Sequence, residues 1–241
     1  MLSEEEITKK EKQRRIWDDI SFIFVAVFLA CSVIFSVLMI YQKTYYKLKY
    51  VSGLSMYPTY NSHVVTPDGG TRTTDDKTTY AGDKNLDCVL VDCHDKAVNS
   101  LERFDIVVAQ RPDGPSTDLI KRLIALPGET FYFGSTGEDK GQLYVLGSDN
   151  EFHKVETPVE AKYLSAPGAT YEGYTTPYTL KSDEYFICGD NRANSTDSRF
   201  FGPLNRKFME GLVVAWIGTY ESANNELGYI NLDLELPRWY K

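Results

Sequence analysis

The chain has 241 residues, 42% hydrophobic and 25% charged, with a formal net charge of −8. That length can bury a sizeable core, and the acidic balance, without any basic stripe interleaved with aromatics, excludes a nucleic-acid surface. The four cysteines do not make a disulfide framework, and the three histidines, His63, His94 and His153, lack metal-ligand spacing, so neither metal nor cofactor is expected.

In chain order, the first element is an apolar run from Ile20 to Tyr41 without a charged residue. As a helix rising about 1.5 Å per residue it measures about 33 Å, enough for the roughly 30 Å of a bilayer's hydrocarbon. A cleaved signal peptide would have a shorter apolar region, ending in small residues rather than in Tyr41-Gln42-Lys43. Lys9, Lys10, Lys12, Arg14 and Arg15 precede the span, and Lys43, Lys47 and Lys49 follow it. This bias puts residues 1–19 in the cytoplasm and the rest outside.

Residues 42–220 read as one β-rich extracytoplasmic domain. Short apolar or alternating runs bounded by turn residues predict strands at Tyr50–Met56, Cys88–Cys93, Asp105–Ala109, Leu119–Ala125, Gln142–Leu146, Tyr185–Cys188 and Leu212–Ile217. The last run is too short to be a second span. An odd spacing sets Cys88 and Cys93 on opposite faces of their strand, where they cannot pair. The threonine-rich stretch 61–85 reads as a surface loop inserted between the first two strands, 166–178 as a second loop, and 221–241 as a tail of unassigned role.

Three motifs carry chemistry. In Gly53-Leu54-Ser55-Met56-Tyr57-Pro58-Thr59, the proline ends any ladder, so Ser55 is expected at a strand end with its hydroxyl free. In Leu119-Ile120-Lys121-Arg122-Leu123, a period of two puts Lys121 on an apolar face with Leu119 and Leu123, and Arg122 on the other. A lysine kept from water has its charged form disfavoured and can serve as a general base. In Gly189-Asp190-Asn191-Arg192-Ala193-Asn194-Ser195-Thr196-Asp197-Ser198-Arg199, Asp197 and Arg199 can pair to stiffen a polar loop, and Ser195 offers a hydroxyl to orient a buried amine.

Together, and behind one membrane helix, these motifs resemble the bacterial type I signal peptidases, membrane-bound Ser/Lys endopeptidases that cleave signal peptides from exported preproteins. The resemblance covers the span and most of 50–218, including the strand Arg103-Phe104-Asp105-Ile106-Val107-Val108. It implies Ser55 as nucleophile, Lys121 as base, Ser195 as orienter of Lys121, and Asp197 with Arg199 as a supporting ion pair. It implies Met56, Tyr60 and Ile120 as lining for shallow pockets that take small side chains before the cut. The implied fold is a mainly β, antiparallel catalytic domain at the bacterial cell membrane. Signal peptides, membrane lipid and the export translocon are the implied partners. Phe104 and Ala125 stand where the family usually has glycine, and Gly53 where some members carry a serine that assists the oxyanion hole. A self-cleaving repressor-type peptidase leaves the span unexplained. A catalytically dead relative would lack the serine or the lysine, and a eukaryotic-type subunit would carry histidine in place of Lys121.

Overall fold

The computed structural model describes residues 4–66, 68–72, 83–112 and 118–220. The tail 221–241 and residues 73–82 of the expected loop lie outside the described residues. Helix α1 runs Glu4–Tyr45, longer at both ends than the apolar run, and forms a compact unit of its own. Its apolar side chains are not covered by protein: Phe22 and Phe24 are each 75% exposed. Ser32 and Ser36 return their hydroxyls to the carbonyls of Phe28 and Ser32, both at 2.8 Å. These two hydroxyls are thereby satisfied within the helix, as a bilayer requires.

The second unit is built on β1 (Tyr46–Tyr50), β2 (Leu86–Asp92), β3 (Ile106–Gln110), β4 (Asp118–Ala125), β9 (Glu184–Cys188), β10 (Leu204–Asn205) and β11 (Met209–Tyr220). These make a seven-stranded antiparallel sheet in the order β1-β2-β11-β3-β4-β9-β10. A second antiparallel sheet contains β5 (Thr130–Phe133), β6 (Leu143–Leu146), β7 (Phe152–Val155) and β8 (Tyr178–Thr179), ordered β7-β6-β5-β8. Short helices α2 (Asp95–Asn99), α3 (Ala161–Leu164) and α4 (Ser198–Phe201) fill the connections.

Strand β3 is buried on both faces, and its period of two feeds two cores. Val107 and Ala109 pack with Leu123, Ile187, Leu204 and Met209, whereas Ile106 and Val108 pack with Met56, Tyr60, Val89 and Val213. A third core joins the sheets through Phe131, Phe133 and Phe186, whose rings are tilted or edge-on to one another. Each buried phenylalanine contributes about 1.5–3 kcal/mol of transfer free energy.

One predicted strand is displaced. The ladder with β2 ends at Tyr50, so Tyr46–Tyr50 is the strand and 51–56 is not. Val51 still donates to Asp87 O at 2.8 Å, after which Tyr57 N–H closes on Leu54 O and Tyr60 N–H on Met56 O. These turns put Ser55 inside a folded loop rather than at a strand end. The stems of the 61–85 segment are also more ordered than a polar surface loop implies. Val64 is buried, Val65 bridges both Thr71 and Lys84, and buried Asp83 pairs with Arg72. The cysteines Cys31, Cys88, Cys93 and Cys188 are unbonded to one another.

Candidate active site

Ser55 comes from the turn after β1 and Lys121 from the middle of β4, opposite Val107 in the ladder. Lys121 Nζ donates to Ser55 Oγ at 2.7 Å and to the Ile120 carbonyl at 2.9 Å. The lysine is only 4% exposed. Burial pushes its pKa down from the ordinary 10.5 to about 8, against the opposing pull of Asp197 and Asp190. The Ser55 backbone N–H has no protein acceptor among the described residues, so it remains available to an incoming carbonyl oxygen.

The polar loop after β9 forms the floor. Asp197 accepts from Gly189 N–H at 2.9 Å and from both Nε and Nη2 of Arg199 at 2.8 Å. Burial alone would raise its pKa, but the Arg199 bonds and charge and the Gly189 N–H hold it low. Arg199 also reaches the carbonyls of Thr170 at 3.1 Å and Arg192 at 2.9 Å, so the expected ion pair ties three segments together. Ser195 is buried in the same loop, where its hydroxyl, beside the Asp197 carboxylate, helps hold that group low, and it makes no hydrogen bond to Lys121. It lies against Gly189, where a built Cβ would come within 2.3 Å of Ser195 Oγ and 2.4 Å of the Ser55 carbonyl. Glycine at 189 is what lets the serine and the nucleophile loop approach each other.

The three residues expected to line substrate pockets divide. Met56 and Tyr60 are 0% and 2% exposed, inside the core beneath the nucleophile loop. Ile120 is half-buried, packs at the margin of that core, and keeps a surface beside Lys121.

Several residues that hold the site escaped the sequence reading. Arg122, fully buried, bonds Asp190 through Nε at 2.8 Å and Nη2 at 2.6 Å, and Thr59 joins the same carboxylate. Asn191 donates its backbone N–H to the Ser55 carbonyl at 3.0 Å and its side-chain amide to the Leu54 carbonyl at 3.3 Å. Asn61 and Asp87 fasten the segment before Ser55. A fully buried arginine demands a carboxylate, so Arg122, flanked by Ile120, Leu123 and Ile124, was the available signal.

Comparison with known proteins finds relatives of this chain. The family model described as signal peptidase, peptidase S26, matches residues 20–217. Signal peptidase I V of Bacillus subtilis (strain 168) is 35% identical over 127 residues, covering 52% of this chain and 71% of the relative. Signal peptidase I of Aquifex aeolicus (strain VF5) is 29% identical over 170 residues, covering 52% of this chain and 66% of its own length. Signal peptidase I of Rickettsia bellii (strain OSU 85-389) is 30% identical, with 55% of its length covered, so the chain spans between about half and about 70% of these relatives. The crystal structure of a signal peptidase I from Enterococcus faecalis V583 is matched at 28% identity and a TM-score of 0.36, over 47% of this chain and 97% of that one. Since the family match begins in the apolar helix, takes in both Ser55 and Lys121 and ends in β11, the chain belongs to the signal peptidase family, peptidase S26.

Proposed function

We propose that this chain is a membrane-anchored serine endopeptidase that removes N-terminal signal peptides from exported preproteins by a Ser55/Lys121 dyad, cleaving after small residues on the outer side of the membrane. The observation that carries the reading is a buried lysine 2.7 Å from a serine hydroxyl, with its pKa lowered to about 8. When Lys121 is neutral its lone pair takes the Ser55 Oγ proton as the oxygen attacks the scissile carbonyl. The oxyanion that forms is met by the Ser55 backbone N–H. The new ammonium then gives its proton to the leaving amine, the acyl group remains on Ser55 as an ester, and Lys121 activates the water that releases it.

Ser195, Asp197 and Arg199 act as supports in this scheme. The Asp197–Arg199 pair fixes the loop, and the buried Ser195 hydroxyl, beside Asp197, is the group that can turn to hold the lysine. Ile120 borders the groove where small side chains bind. Helix α1 anchors the enzyme with its N-terminus in the cytoplasm, as the flanking lysines and arginines favour. Signal peptides are the substrate, with membrane lipid and the translocon as neighbours.

The test is to incubate the detergent-solubilised protein with a preprotein and sequence the new N-terminus. Parallel reactions use Ser55→Ala, Lys121→Ala and the double variant. Each single change is expected to abolish cleavage, with the double hardly worse, because the dyad acts as a unit. A folded Lys121→Ala protein with near-parent turnover would remove the lysine from the mechanism.

A further inference from the structure

Asn61 stands at the point where the 61–85 segment leaves the nucleophile loop, and it is 1% exposed. Its φ is +60°, in the left-handed region that asparagine enters more readily than most residues. Its side-chain amide donates to two carbonyls of the segment leading to Ser55, Val51 O at 2.7 Å and Gly53 O at 2.9 Å. Its Oδ1 accepts from Asp87 N–H at 2.8 Å, and its own backbone N–H donates to the Asp87 carboxylate. Trp216 Nε1 on β11 donates to the other oxygen of that carboxylate at 2.8 Å. Both amide protons and the amide oxygen are therefore committed, and the chain just before the nucleophile is fastened to β2 and, through Asp87, to β11.

One and two residues beyond Gly53, the loop is held again, because Asn191 takes the carbonyls of Leu54 and Ser55. The Ser55 hydroxyl and N–H thus project from a backbone gripped at residues 51, 53, 54 and 55. A nucleophile misplaced by about 1 Å loses on the order of a hundredfold in rate.

We propose that Asn61 is a positioning residue for the nucleophile: its amide holds the 51–53 backbone so that Ser55 meets both Lys121 and the scissile carbonyl. This rests on the peptidase reading above, and two measurements separate the two ideas. Asn61→Gly keeps a residue that accepts positive φ and removes the amide. Asn61→Asp keeps an acceptor for Asp87 N–H and loses the two donors.

With each full-length variant in detergent, at a temperature where circular dichroism shows it folded, preprotein cleavage is followed across pH. Hydrogen exchange at residues 51–56 is followed by mass spectrometry. The expected result is a fall in kcat of about 10–100-fold with KM within about threefold, an unchanged pH midpoint, and exchange at 51–56 at least about tenfold faster while 106–110 stays as in the parent. A role confined to stability would lower the melting temperature and leave kcat of the folded protein alone. Turnover within about twofold of the parent in both variants, or unchanged exchange at 51–56, overturns the proposal. If the parent itself leaves preprotein uncut, the peptidase reading fails, and the exchange measurement still decides whether Asn61 grips the loop.

Discussion

Raising pH should switch the enzyme on with a midpoint set by Lys121. The base works only as the free amine, so the active fraction follows its deprotonation, and burial places that event at about 8 rather than 10.5. At one pH unit below the midpoint about a tenth of the molecules hold a neutral lysine, and at one unit above about nine tenths do. Cleavage should therefore rise roughly tenfold between pH 7 and pH 9, with a slope near one per pH unit on the acid side.

Stability should move in the same direction. The folded pKa is depressed, so between about 8 and 10.5 the unfolded chain binds more protons than the folded one, and stability rises with pH through that window. The full difference is about 3 kcal/mol. Lys121→Met, which has nothing to titrate, should be the more stable protein below pH 8 and lose that advantage as pH approaches 10. The assay is the initial rate on a preprotein peptide from pH 6 to 10, with urea unfolding of parent and Lys121→Met at the same pH values. Rates that are flat from pH 6 to 9 while chemistry limits turnover, or a midpoint above 10, would refute the desolvated-lysine argument.

Other expectations follow from the same geometry. Gly53 lies outside the left-handed region and a built Cβ meets nothing within 4 Å, so Gly53→Ala should cleave at about the parent rate. Gly53→Ser should match or exceed it, by up to about tenfold if the hydroxyl reaches the oxyanion; equal, severe losses in both would show that the backbone there needs glycine. Asp190→Asn leaves the fully buried Arg122 without its carboxylate and should cost about 3–5 kcal/mol in urea unfolding. It also removes a charge that raises the Lys121 pKa, so the pH midpoint of the folded fraction should move to lower pH. Phe104 holds φ at +75°, so Phe104→Gly should be more stable than Phe104→Ala by about 1 kcal/mol, read from denaturation midpoints.

The elements whose patterning is strong were legible. The uncharged run gave α1, and the alternation in Leu119–Ala125 and Tyr185–Cys188 gave β4 and β9 within a residue. Short strands such as Phe152–Val155 and Tyr178–Thr179 show little pattern of their own because their stability comes from the sheet they join, and β5 at Thr130–Phe133, although bounded by Pro127-Gly128 and Gly134, carries three consecutive aromatics with no alternation to mark a strand. The serine and lysine could be named because each sits in a distinctive local string. Asn61, Asp87 and Asn191 could not, since each works through a partner far along the chain and none has an unusual neighbourhood. Met56 and Tyr60 were named from the resemblance as lining for substrate pockets, and the structure describes them as buried. The turn at 54–60 sets both side chains in the core under the nucleophile loop, a placement that the local string alone does not specify.

The two aspartate–arginine pairs around the dyad bear on where such an enzyme can work. Asp190 is neutralised by Arg122 and Asp197 by Arg199, all four buried. Among the described residues, the charge that comes and goes at the centre in the proposed scheme is the one on Lys121, taken from the medium below about pH 8 or from Ser55 during the step, where the oxyanion matches it. None of these charges faces the roughly 8 Å Debye atmosphere of physiological salt, so mobile ions screen them little. On the outer side of a membrane, where the orientation proposed above places the site, ionic strength follows the medium rather than the cell. The chemical step at a centre arranged in this way should change little between brine and dilute medium and answer to acidity.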